Sequence, residues 1–85
     1  MPSKTVIVGS AVGLYARPAA IIAEAVAASG AEVTLSMDGG EPVDAGSALM
    51  IMTLGAGNAA QVTVTSDDEA ALNTVVELVQ KDLDA

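Results

Sequence analysis

"AEVTLSM" (31–37) alternates without a break: Ala31, Val33, Leu35 and Met37 fall on one face, Glu32, Thr34 and Ser36 on the other. A period of two over such a run is the pattern of a strand buried on one side only. "AQVTVTS" (60–66) repeats it, with Ala60, Val62 and Val64 as the apolar set. Two strands of this kind imply a sheet with one wet face, and therefore an antiparallel one. "KTVIV" (4–8) is β-branched, stops at Gly9 and reads as a buried strand. "EPVD" (41–44) follows the turn "DGG" (38–40) and carries Pro42, so it is an edge strand at best.

Between the strands the period changes. "PAAIIAEAVAAS" (18–29) is rich in good helix formers, with Ile22 and Val26 four apart and Gly30 placed to stop it. Pro18 suits a first helical turn, where a missing N–H costs nothing. The residue before a proline avoids the right-handed helical region, which places Arg17 at the cap. "SALMIMTL" (47–54) is a second helix, with Ser47 as N-cap and Gly55 and Gly57 ending it. Ser66 and Glu69 have capping-box spacing, and Leu72, Val75, Val76, Val79 and Leu83 then form one helical stripe. The order βαββαβα is that of an α+β open-faced β-sandwich, a four-stranded antiparallel sheet with three helices on one face. Eighty-five residues make this a single domain, 1–85.

Composition narrows the function. The chain has 3 basic and 11 acidic residues and a net charge of −8, which argues against non-specific nucleic-acid binding and against an anionic membrane surface. It has no cysteine and no histidine, hence no disulfide framework, no thiolate chemistry and none of the commonest metal ligand. No apolar run approaches the roughly 20 residues of a membrane span, and the N-terminus lacks a signal-peptide core. The expectation is a cytoplasmic monomer with no cofactor and no metal. Asp67, Asp68 and Glu69 form the one acidic run. Their reading is as complements to the positive end of the last helix. A divalent-cation site is the weaker alternative, since adjacent helical residues do not converge on a point.

Two stretches carry chemistry. In "AVGLYARPAA" (11–20) the chain's lone aromatic, Tyr15, stands two positions from its lone arginine, Arg17, at the mouth of a helix. Free N–H groups of a first turn attract anions, and Arg17 adds a full charge and a planar fork of donors. Gly13 lets the backbone approach closely. Composition alone weighs more toward Arg17 pairing with a carboxylate while Tyr15 packs on the loop. "ALMIM" (48–52) is apolar all round, yet a short surface helix cannot bury every side. It is either core or a docking surface with Met50 and Met52 as adaptable contacts. Ser47, beyond capping, is where a regulatory phosphate would sit well on the helix dipole.

"VGSAVGLYARPAAIIAEA", "GSALMIMTLGAG" and "VTVTSDDEAAL" together closely resemble the HPr family, the histidine-containing phosphocarriers of the bacterial phosphoenolpyruvate–sugar phosphotransferase system. The resemblance implies the βαββαβα sandwich, a carrier that is not itself an enzyme, and two partners: enzyme I, which donates phosphoryl, and the IIA domains of sugar permeases, which receive it. The family motif reads G-[LI]-H-A-R-P. Here it is Gly13-Leu14-Tyr15-Ala16-Arg17-Pro18, with tyrosine at the acceptor position. The resemblance makes Arg17 and the backbone at Gly13, Ala16 and Arg17 the phosphate cradle, Ser47 the serine a regulatory kinase phosphorylates in some members, and Ala48, Leu49 and Met52 the docking helix. A neutral imidazole offers a nucleophilic lone pair at neutral pH, whereas a free phenol is hardly ionised there and is a poor nucleophile, so transfer is expected to be lost while partner binding is expected to persist. A regulatory paralogue of the Crh type, binding partners such as a transcription regulator and signalling through Ser47, is the alternative. An unrelated small anion-binding module is the third reading.

Overall fold

The structure is a computed structural model that describes residues 2–81. Its elements are β1 (Ser3–Ile7), α1 (Ala16–Ser29), β2 (Thr34–Met37), β3 (Val43–Asp44), α2 (Ala48–Thr53), β4 (Gln61–Thr65) and α3 (Glu69–Gln80). The strands form one antiparallel sheet in the order β1-β4-β2-β3. Register follows from the alternation. Val6 opposes Val62, and Leu35 opposes Val64, so these four buried side chains share the inner face. Thr5, Thr63 and Ser36 line up on the outer face, where the hydroxyls of Thr5 and Thr63 bond each other at 2.9 Å. All three helices press on the inner face. Ile22 and Val26 of α1, Ile51 of α2, and Leu72, Val75 and Val79 of α3 join the strand valines in one core. Burying each such side chain contributes about 1.5–3 kcal/mol, which is what closes the sandwich.

Three local expectations are corrected. The first strand is not buried: it runs from Ser3 to Ile7 at the sheet edge, only Val6 within it is covered, and Ile7 is 47% exposed. Its β-branched run has one helix-side face and one wet face, like the other strands; Val8, also buried, lies just past its end. The helix after the motif starts at Ala16, not Pro18, so Arg17 lies inside the first turn and Tyr15 occupies the N-cap. The last helix is capped by Asp68, whose carboxylate accepts the Ala71 N–H at 3.1 Å, and not by Ser66. Ser66 is fully buried instead. Its hydroxyl donates to the Glu32 carbonyl at 2.7 Å and accepts the Asp68 N–H at 3.1 Å, tying the end of β4 to the chain entering β2.

The stripe on α3 is as expected for Leu72, Val75 and Val79, with Val76 half-buried; Leu83 lies outside the described residues. Gly30 ends α1 in the left-handed conformation, its N–H reaching the Ala27 carbonyl. Asp68→Ala, which removes the α3 cap, should lower unfolding free energy by about 1 kcal/mol in a urea titration, while Asp67→Ala should leave it unchanged. Ala59 holds φ 68°, a left-handed value that an alanine adopts at a cost. Ala59→Gly should therefore raise stability by roughly 0.5–1 kcal/mol, read as a higher thermal midpoint.

Candidate functional site: the mouth of the first helix

The segment from Val8 to Tyr15 contains a tight turn followed by a buried anchor, Leu14. The Gly13 N–H donates to the Ser10 carbonyl at 3.0 Å, closing the turn. Gly13 has φ 79°, and a Cβ there would collide with the Ala56 carbonyl oxygen and lie 2.7 Å from Gly57 Cα. Only glycine fits both the angle and the space. Leu14 is the anchor: it is buried in the core, and its N–H donates to the Ala56 carbonyl at 2.8 Å. With Leu14 turned inward and Tyr15 extended at φ −125° and ψ 159°, the phenol is pushed out and stands 60% exposed.

The helix then opens with no side-chain cap. The Tyr15 carbonyl accepts the Ala19 N–H at 3.4 Å, and Pro18 has no N–H to place. Among the described residues the N–H groups of Ala16 and Arg17 make no backbone hydrogen bond. They stand open at the positive end of a 14-residue helix. Ala16 takes φ 30°, outside the range an alanine adopts freely, at a cost on the order of 1–3 kcal/mol. Arg17 is exposed and, among the described residues, pairs with no carboxylate. The composition-based reading of Arg17 in a structural ion pair and Tyr15 packed on the loop is thus not what the fold contains. The arrangement offers two backbone donors and a guanidinium to an anion, beside an exposed hydroxyl.

The second stretch divides by face. Ser47 caps α2, its hydroxyl accepting the Met50 N–H at 3.3 Å. Ile51 is core, Ala48 and Met52 are half-buried, and Leu49 and Met50 are 69% and 41% exposed. The exposed apolar surface is therefore Leu49 with Met50, more than Ala48 or Met52. Asp68 of the acidic run is engaged as a cap, and Asp44 is held by the Gly46 N–H at 2.8 Å. The surface depressions lined by Glu32, Asp44, Asp67 and Asp68 lie at the other end of the sheet from the helix mouth and would repel an anion.

The sequence reading places Gly55 and Gly57 at the end of a helix and Ala60 at the start of a strand, which begins instead at Gln61, and does not foresee that the segment 55–60 supports the turn. It supplies the carbonyl of Ala56 to Leu14, and the Asn58 side-chain amide donates to the Ser10 carbonyl at 3.0 Å. Its sequence, "GAGNAA", carries no period, and its glycines read only as the end of a helix.

The architecture is that of a small α+β open-faced sandwich domain with an anion-receptive helix mouth. A family model described as PTS HPr component phosphorylation site matches residues 2–81, and the chain belongs to the HPr family. Over 87 aligned residues it is 40% identical to the phosphocarrier protein HPr of Streptomyces coelicolor, covering 99% of this chain and 94% of that one. Its fold is similar to a crystal structure of a phosphocarrier protein HPr from Bacillus anthracis, with TM-score 0.86, 33% identity and coverage of 93% of this chain and 96% of the other. It is similar also to a crystal structure of HPr-C-His from Thermoanaerobacter tengcongensis, with TM-score 0.88, 26% identity and coverage of 100% and 98%. As a member of a phosphocarrier family the chain is not a catalyst. Among the described residues no helix is long and apolar enough to cross a membrane.

Proposed function

We propose that this chain occupies the carrier's place between enzyme I and the IIA domains of sugar permeases, in the cytoplasm, with Tyr15 at the acceptor position and phosphoryl transfer therefore lost. The observation that carries the reading is the exposed Tyr15 phenol beside the open N–H groups of Ala16 and Arg17. The phosphate cradle is intact; the group that should relay is changed. Gly13 sets the turn, Ala16 and Arg17 supply backbone donors, and the Arg17 guanidinium supplies charge.

Docking rests on separate atoms. Leu49 and Met50 on α2, with Ala48 and Met52 at their margin, form the apolar surface that meets partners. The substitution at residue 15 leaves this surface untouched, so the chain binds enzyme I and competes with a histidine-bearing carrier. In a reconstituted sugar-phosphorylation assay, added chain should inhibit in proportion to its concentration, and Leu49→Asp should abolish that inhibition. Absence of inhibition at several-fold excess would overturn retained docking.

Ser47 favours a second role. It is half-buried, and its hydroxyl accepts the Met50 N–H at the start of α2. A serine kinase acting there would place a dianion at the docking surface, as in a Crh-like regulator. The discriminating measurement is phosphate incorporation at Ser47 with a change in partner affinity.

A further inference from the structure

The turn that presents Tyr15 is closed by its own Gly13 N–H to Ser10 carbonyl bond and leans on two neighbours: α3, whose Val79 carbonyl takes the Gly9 N–H at 3.0 Å, and the segment 55–60, which follows α2. The Ala56 carbonyl receives the Leu14 N–H at 2.8 Å. At the base, Val8 N–H donates to Ala60 at 2.9 Å and Ala59 N–H donates to Val8 at 3.0 Å. The Asn58 amide reaches across to the Ser10 carbonyl at 3.0 Å. That carbonyl also takes the Gly13 N–H, at 3.0 Å. Asn58 thus fills the second lone pair of the oxygen that closes the turn.

We propose that Asn58 is a positioning residue for the phosphate-handling turn. By holding the Ser10 carbonyl it fixes Gly13, and through Gly13 it fixes the direction in which residue 15 and the open N–H groups of Ala16 and Arg17 point. Asn58 itself is exposed and anchors no core side chain, so its effect falls on the turn rather than on the sandwich. An asparagine suits the task because it brings a neutral donor on a short stem. An aspartate of the same shape would set a charged acceptor against a carbonyl oxygen. The role rests on the reading of residues 13–18 as the phosphoryl site.

The test uses the full chain carrying Tyr15→His, alone and combined with Asn58→Asp, Asn58→Ala or Asn58→Gln. With phosphoenolpyruvate and enzyme I, the Asp and Ala variants should take up phosphoryl about tenfold more slowly at saturation, with KM for the carrier unchanged because α2 is untouched. Asn58→Gln, which keeps the donor on an exposed loop, should recover most of the rate. Amide hydrogen exchange should quicken at Gly13 in the Asp and Ala variants, with Val62 and Val64 in the sheet unaffected. An unchanged rate, an effect confined to KM, or exchange that rises equally at Gly13 and in the sheet overturns the proposal. Should Tyr15→His itself take up no phosphoryl, the reading of the site fails, and a titration with inorganic phosphate then decides on Asn58. Amide shifts at Ala16 and Arg17 that shrink in Asn58→Asp support it; shifts that do not change overturn it.

Discussion

Incubated with phosphoenolpyruvate and enzyme I, this chain is expected to acquire no acid-labile phosphate, and the single change Tyr15→His is expected to restore it. Three physical differences act in the same direction. A neutral imidazole presents a lone pair at neutral pH, whereas a free phenol is only about one-thousandth ionised there. The phenol oxygen lies farther from its backbone than the near imidazole nitrogen. The open N–H groups of Ala16 and Arg17 are fixed to the helix, so a phosphoryl group on the longer phenol is held less closely by them than one on the near imidazole nitrogen. In-line transfer needs reacting atoms at roughly 3–3.5 Å, and a misplacement of an ångström costs on the order of a hundredfold. Finally, an aryl phosphate ester lacks the labile P–N bond that lets a carrier pass its group onward. The combined deficit should exceed about a thousandfold in transfer rate. Measured with radiolabelled phosphoenolpyruvate and an acid-lability chase, label that reaches a IIA domain through the unaltered chain would refute the assignment of Tyr15.

The second large effect belongs to Gly13. Gly13→Ala should lower unfolding free energy by about 3 kcal/mol, because an alanine there incurs both a left-handed backbone and a collision with the Ala56 carbonyl. Gly39 provides the control. It has φ 75° but open space, with nothing within 4 Å, where a methyl group would stand, so Gly39→Ala should cost about 1 kcal/mol, the conformational part alone. The difference between the two variants in urea denaturation isolates the close approach of residues 13 and 56. Equal losses would mean that the turn swings clear of the segment 55–60 without penalty, and that the segment does not support the site.

The strands expected over 31–37 and 60–66, found at 34–37 and 61–65, and the stripe on α3 were legible because each has one face toward the core, and a single buried face imprints its period on the chain; the alternation of Ala31 and Val33 continued it into chain that is not strand. The short β3 was legible as an edge through Pro42. Burial of the first strand was misread because a β-branched run looks alike in the centre of a sheet and at its edge; only the pairing order, with β1 outermost, separates them. The cap of α3 fell to Asp68 because Ser66 was drawn inward by the Glu32 carbonyl, a partner 34 residues away. The site was half legible. Gly13, Tyr15, Arg17 and Pro18 lie together in one short run, so their juxtaposition is local and can be read from the sequence.

By itself, the sequence determined the element order, the wet and dry faces of the central strands, and the gathering of the phenol and the arginine at a helix start. Those features are set by side-chain period and backbone chemistry within a few residues. The tertiary structure alone decided that Arg17 has no carboxylate partner among the described residues, that Leu49 and Met50 are the exposed part of α2, and that residues 55–60 hold the turn in place. Each of these depends on which surfaces meet when distant segments pack, and no periodicity along the chain encodes that.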